Sequence, residues 1–68
     1  MSHIALVSNN DIVSKIFILV TKKLSLSIDV FADDSITTPY EFVIVDDDVP
    51  VDIKKIDLFA ATLLLLSS

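Results

Sequence analysis

The 68-residue chain is 53 % hydrophobic, carries a formal charge of −5 and contains neither cysteine nor glycine, so it holds one domain, residues 1–68, around one core. Missing cysteine excludes disulfides and thiolate metal sites, and missing glycine excludes the glycine-rich loops that cradle phosphates and dinucleotides. Ten acids against five bases oppose a nucleic-acid partner, because binding its phosphates needs a basic surface.

The start, Met1-Ser2-His3-Ile4, lacks the basic flank and long apolar core of a secretory signal, and a cytoplasmic location is expected. Ile4-Ala5-Leu6-Val7 is a short apolar run that ends in Ser8-Asn9-Asn10-Asp11, the pattern of a buried strand running into a polar turn. Asn9 or Asn10 then caps a helix. Over residues 11–24 the apolar positions Ile12, Val13, Ile16, Phe17, Leu19, Val20 and Leu24 recur at helical spacing, giving a wide apolar face. Asp11 in the first turn and Lys22 and Lys23 in the last suit the helix dipole.

Residues 25–32 alternate polar and apolar, which predicts an edge strand with one wet face. Acids, hydroxyls and Pro39 fill residues 33–39, leaving space for at most one helical turn. Tyr40-Glu41-Phe42-Val43-Ile44-Val45 is apolar almost throughout and breaks into Asp46-Asp47-Asp48-Val49-Pro50. That predicts a central strand of a parallel sheet covered on both sides, where the carboxyl ends of the strands carry the chemistry. A short helix over residues 51–57 would turn Val51, Ile53 and Ile56 inward, although seven residues are marginal without tertiary packing. Residues 58–66 then supply a last strand centred on Leu63 to Leu66; Ala60, Ala61 and the leucines also permit a helix over residues 57–66. The apolar runs Ile16 to Val20 and Leu63 to Leu66 fall far short of the roughly 20 residues a membrane helix needs, so no membrane partner is expected.

The run Phe42-Val43-Ile44-Val45-Asp46-Asp47-Asp48-Val49-Pro50 resembles the third strand of the receiver domain of two-component response regulators, a flavodoxin-like module. The resemblance implies a minimal α/β fold with a parallel sheet of strand order 2-1-3-4, one long helix and abbreviated later crossovers. It makes Asp46 the counterpart of the phosphoacceptor aspartate, with Pro50 four residues on, and Ser67 the counterpart of the switch hydroxyl. Ser8 and Asn9 stand where the family carries the acidic pair that holds Mg²⁺, and the strand bearing the family's lysine has no counterpart. The match covers nearly all of this chain but only the first two thirds of a receiver.

Phosphoryl transfer to a carboxylate depends on positioning and charge neutralisation, and the usual sources of both are gone. Asn9, Asp47 and Asp11 are the residues left to contact a cation beside Asp46, so no resident cofactor or catalytic residue is expected, with weak Mg²⁺ contact as the most that turn supports. The expectation is a non-catalytic, receiver-like interaction or dimerisation module that does not depend on phosphorylation. The alternative is a phosphoacceptor using Asp46 with its missing parts supplied by another chain or a longer parent protein.

The hand of parallel crossovers puts the long helix on one face of the sheet and the two short connections on the other. The second face is expected to be thinly covered, leaving Val43, Val45 or their alternates and parts of Leu63 to Leu66 wet. A domain this small buries only about 60 % of the surface its unfolded chain exposes, so association is expected to complete it, as a homodimer or by docking onto a protein partner. His3 and Tyr40 are read as a surface imidazole and a ring packed at a strand entry.

Overall fold

A computed structural model describes residues 3–66. The order is β1 (His3–Val7), α1 (Asp11–Lys23), β2 (Ser27–Phe31), β3 (Tyr40–Asp46), α2 (Ile53–Asp57) and β4 (Ala60–Leu66). The four strands form one all-parallel sheet ordered β2-β1-β3-β4, so the α/β class and the strand order follow the expectation. Among the described residues no helix is long and apolar enough to cross a membrane. The last element is a strand and not a helix. It pairs with β3 from Tyr40↔Ala60 to Asp46↔Leu66, and it supplies the second hydrogen-bond ladder that a central strand needs, since a buried strand edge leaves backbone groups unpaired. Ala60 to Thr62 join it because pairing reaches beyond the leucine run.

Register decides which side chains share a face, since alternate residues of a strand point to opposite sides. Ile4 and Leu6 lie level with Phe42 and Ile44 on one face, and Ala5 and Val7 with Val43 and Val45 on the other. On the second face Ala5, Val7, Val43 and Val45 are buried beneath Ile36, Val49 and Ile56. Ile56 is the one buried residue of α2, whose amino end is capped by Asp52. Residues 33–39 form no helix. They are held by Asp33, which accepts the Ser35 N–H at 3.0 Å, and by Asp34, which accepts the Asp52 N–H at 3.2 Å and lies 3.9 Å from Lys55 Nζ.

The expected coverage holds in part: Leu64 and Leu65 are exposed, Leu65 on the face of Val43 and Val45, but Val43 and Val45 themselves are not wet. Each abbreviated connection drives a large aliphatic side chain into the sheet, Ile36 from one and Val49 with Ile56 from the other, so Val43 and Val45 are buried. The thin side is the one that carries α1. On that side Ile4 and Leu6 are buried, and so is Thr21 of α1 itself, whose hydroxyl donates to the Phe17 carbonyl at 2.8 Å. Over the β3–β4 half of that face Phe42 and Leu64 stay exposed.

The end of α1 shows how a chain without glycine makes a helix stop. Leu26 N–H donates to the Thr21 carbonyl at 2.8 Å and Ser25 N–H to Lys22 at 3.2 Å, the paired bonds of a Schellman cap with Ser25 in the position that usually takes glycine. Its φ is 56°, the left-handed region, where a Cβ costs about 1–2 kcal/mol. Ser25→Gly is expected to relieve that strain, less the extra chain entropy glycine loses on folding, for a net gain of about 0.5–1 kcal/mol. Thermal unfolding checks it: the midpoint should rise by about 2–8 °C.

At the amino edge of the sheet Asp29 Oδ2 accepts from the Tyr40 hydroxyl at 2.8 Å and from His3 Nε2 at 3.1 Å. The His3 and Tyr40 rings lie 4.5 Å apart, so His3 is the surface imidazole the sequence suggested, held there by two partners. Burial, and then the bond to Asp29, raise the Tyr40 phenol above its ordinary value of 10.0. Folding thus favours the protonated phenol. The stability this contributes is complete below the unfolded value of about 10 and is lost as pH rises through the higher folded value. With one tyrosine and no tryptophan in the chain, absorbance at 295 nm in an alkaline titration reads Tyr40 alone. Its midpoint should lie above that of the urea-unfolded chain.

Candidate functional site

The carboxyl ends of β1 and β3 are level because Val7 pairs with Val45, and the next residues, Ser8 and Asp46, meet across the rim. Both are buried. Ser8 Oγ donates to Asp46 Oδ2 at 3.1 Å and accepts the Asn10 N–H at 3.1 Å. Asp46 Oδ1 accepts the Asp48 N–H at 3.2 Å, and the turn closes through Val49 N–H to the Asp46 carbonyl at 3.1 Å. Asn10 Oδ1 caps α1 by accepting from Ile12 at 3.0 Å and Val13 at 3.3 Å. One polar chain thus runs from the start of α1 through Ser8 and Asp46 into the turn after β3.

Between two sequence candidates for the cap, Asn10 does the work, and Asn9 is exposed in the loop beside it. Asp11 is exposed in the first turn of α1. Neither Asn9 nor Asp11 joins the hydrogen bonds around Asp46. Asp47 and Asp48 are exposed, and each offers a carboxylate oxygen so that the three aspartates bring ligand atoms within 4.8 Å of one another. Ser67 lies outside the described residues. Ser8, which the sequence placed in the turn after the first strand and, through the resemblance, where the acidic pair would stand, is the partner that the structure brings onto Asp46.

Above the rim a cleft of about 350 Å³ opens between α1 and the β3–β4 ends, lined by Asn10, Val13, Ile16, Phe17, Asp46, Asp48 and Leu66. Its walls are mostly aliphatic, its charge is acidic, and no lysine or arginine lines it. Oxygen ligands of this kind suit a hard cation. They all come from one turn, however, and the most buried of them is already bonded on both oxygens. As a phosphoacceptor the rim offers a carboxylate without a basic group to neutralise the incoming phosphoryl oxygens.

The architecture is a minimal flavodoxin-like α/β fold with a polar rim at the carboxyl ends of its strands. Beyond that class the comparisons are silent: no family model, no curated protein and no solved structure matches the chain.

Proposed function

We propose that this chain is a non-catalytic, receiver-like interaction module that docks through the face carrying α1, independently of phosphorylation. One observation carries the reading. Ile12, Ile16, Leu19 and Val20 on α1, with Phe42 and Leu64 on the sheet beside it, stand between 37 % and 70 % exposed. Helical spacing joins the four α1 residues into a single stripe, and the cleft connects Ile16 to Leu66 across from it. An apolar patch of this extent marks an interaction surface, and covering it releases about 25 cal/mol for every Å² removed from water.

Supporting independence from phosphate is the bonding of Asp46, both of whose carboxylate oxygens are engaged within the fold. The Asp46-to-Pro50 run that resembles a receiver is retained here as a latch. We infer a cytoplasmic location, the compartment of the family it resembles. The test is Ile16→Glu, a change at an exposed position that leaves the core alone. Binding of the neutral apolar dye Nile red, or self-association in sedimentation, should fall severalfold while circular dichroism stays unchanged. A wild-type chain that neither associates nor binds the dye overturns the reading.

A further inference from the structure

The open face is electrically polar along its length, and that polarity selects an occupant. Helix α1 starts at the carboxyl rim of the sheet, beside Asp46 and Asp48, and runs back toward the amino edge. Its 13 residues span about 20 Å, and Lys22 and Lys23 close the far end. Lys23 lies four residues beyond Leu19 and seven beyond Ile16, so it continues the exposed stripe. Among the described residues neither Lys22 nor Lys23 has an ion-pair partner. The face is therefore an apolar strip with a carboxylate at one end and an ammonium at the other, and Lys15 stands on its flank between Ile12 and Leu19.

Resting on the docking role proposed above, we propose that the occupant is a second copy of this chain, packed face to face about a two-fold axis that lies in the interface and crosses the length of the strip at right angles. In an isologous contact each residue meets the residue that meets it in return. With the axis across the strip, the two copies of α1 run antiparallel. The Lys23 end of each then meets the Asp48 end of the other, and Ile16 and Leu19 close around the axis. With the axis along the strip, lysine faces lysine and carboxylate faces carboxylate, in a chain that already carries a net charge of −5. Charge thus sets the orientation, and the aliphatic stripe supplies the adhesion, since exposed ion pairs contribute little by themselves.

Sedimentation equilibrium at low ionic strength tests this with the full chain and four variants: Lys23→Glu, Asp48→Lys, the two combined, and Ile16→Glu. All three positions are exposed, and circular dichroism verifies folding. The wild type should be a dimer. Each single charge reversal should weaken dimerisation about ten- to thirty-fold, because the two-fold repeats the change at both ends. The combined variant should recover to within about threefold of the wild type, since the reversed charges meet again. A dimer lost in Ile16→Glu but indifferent to the charge reversals overturns the antiparallel arrangement and leaves the docking role standing. A wild-type monomer whose Nile red binding disappears in Ile16→Glu overturns the second copy as occupant and leaves a different protein as the partner of that face. A dimer untouched by Ile16→Glu overturns both the arrangement and the docking role.

Discussion

Ile56→Ala is expected to unfold the protein at room temperature or leave it with a small fraction of its stability. Ile56 is fully buried and is the only buried residue of α2, a helix of five residues that is too short to hold its shape without packing. Truncating a buried isoleucine to alanine costs about 2–5 kcal/mol, the larger values where the cavity cannot collapse. A chain of this length has about 3–10 kcal/mol in total. Collapse is resisted here because Ile36 and Val49, the neighbouring plugs of the same face, are fixed by the sheet below and by the short connections that carry them. Urea unfolding followed by circular dichroism, at a fixed protein concentration, gives the number. Ile53→Ala is the control: Ile53 lies on the same helix but is 39 % exposed, and its loss should cost under about 1 kcal/mol. If the two variants unfolded at the same urea concentration, the core would not lie where Ile56 puts it.

Both isoleucines were expected to turn inward from a helix over residues 51–57, but α2 begins only at Ile53, after the Asp52 cap, and Ile56 alone is buried. Strands β1 and β3 were legible because Ile4 to Val7 and Phe42 to Val45 are apolar runs cut off by polar turns, and the strand order was legible through the resemblance those turns carry. Helix α1 was legible to within one residue of its end, because Asp11 and the lysines bracket a regular 3.6-residue pattern. The thin face was not. Ile36 and Val49 sit in segments with no periodicity, and a single aliphatic between acids and hydroxyls gives no sign that it plugs a sheet. The exposed stripe of α1 was hidden for the opposite reason. A wide apolar arc normally predicts deep burial, but this helix turns only Thr21 fully inward, because the sheet beneath its other side continues without a second helix to share the cover. At the rim, Asp46 was legible from the break in the strand, whereas its partner Ser8 depends on strand register, which no local pattern encodes.

That partner makes Asp46→Ala the second large effect. Ser8 is 3 % exposed and Asp46 7 %, so the Ser8 hydroxyl has no water to turn to when its acceptor is removed. A buried donor left without a partner costs about 1–3 kcal/mol, and the Asp48 N–H, on an exposed residue, adds the smaller loss of an acceptor that water can replace. The latch also joins two separate elements, the start of α1 through Asn10 and Ser8, and the turn after β3 through Asp48. Its loss should therefore loosen both ends of the cleft, and a total cost of about 2–3 kcal/mol is expected by urea unfolding. Ser8→Ala should cost less, because it removes one donor and leaves the Asp48 bond in place. The double variant should fall short of the sum by about 0.5–3 kcal/mol, as contacting residues do. The chemistry divides along the same line. A carboxylate engaged in this way is a poor acceptor, and incubation with acetyl phosphate and Mg²⁺ should leave the mass of the intact protein unchanged. A phosphorylated species that vanishes in Asp46→Asn would mean that the Ser8 bond opens readily and that the rim does transfer phosphate. The measured coupling between Ser8 and Asp46 would then have to be close to zero, so stability and chemistry test the same bond from two sides.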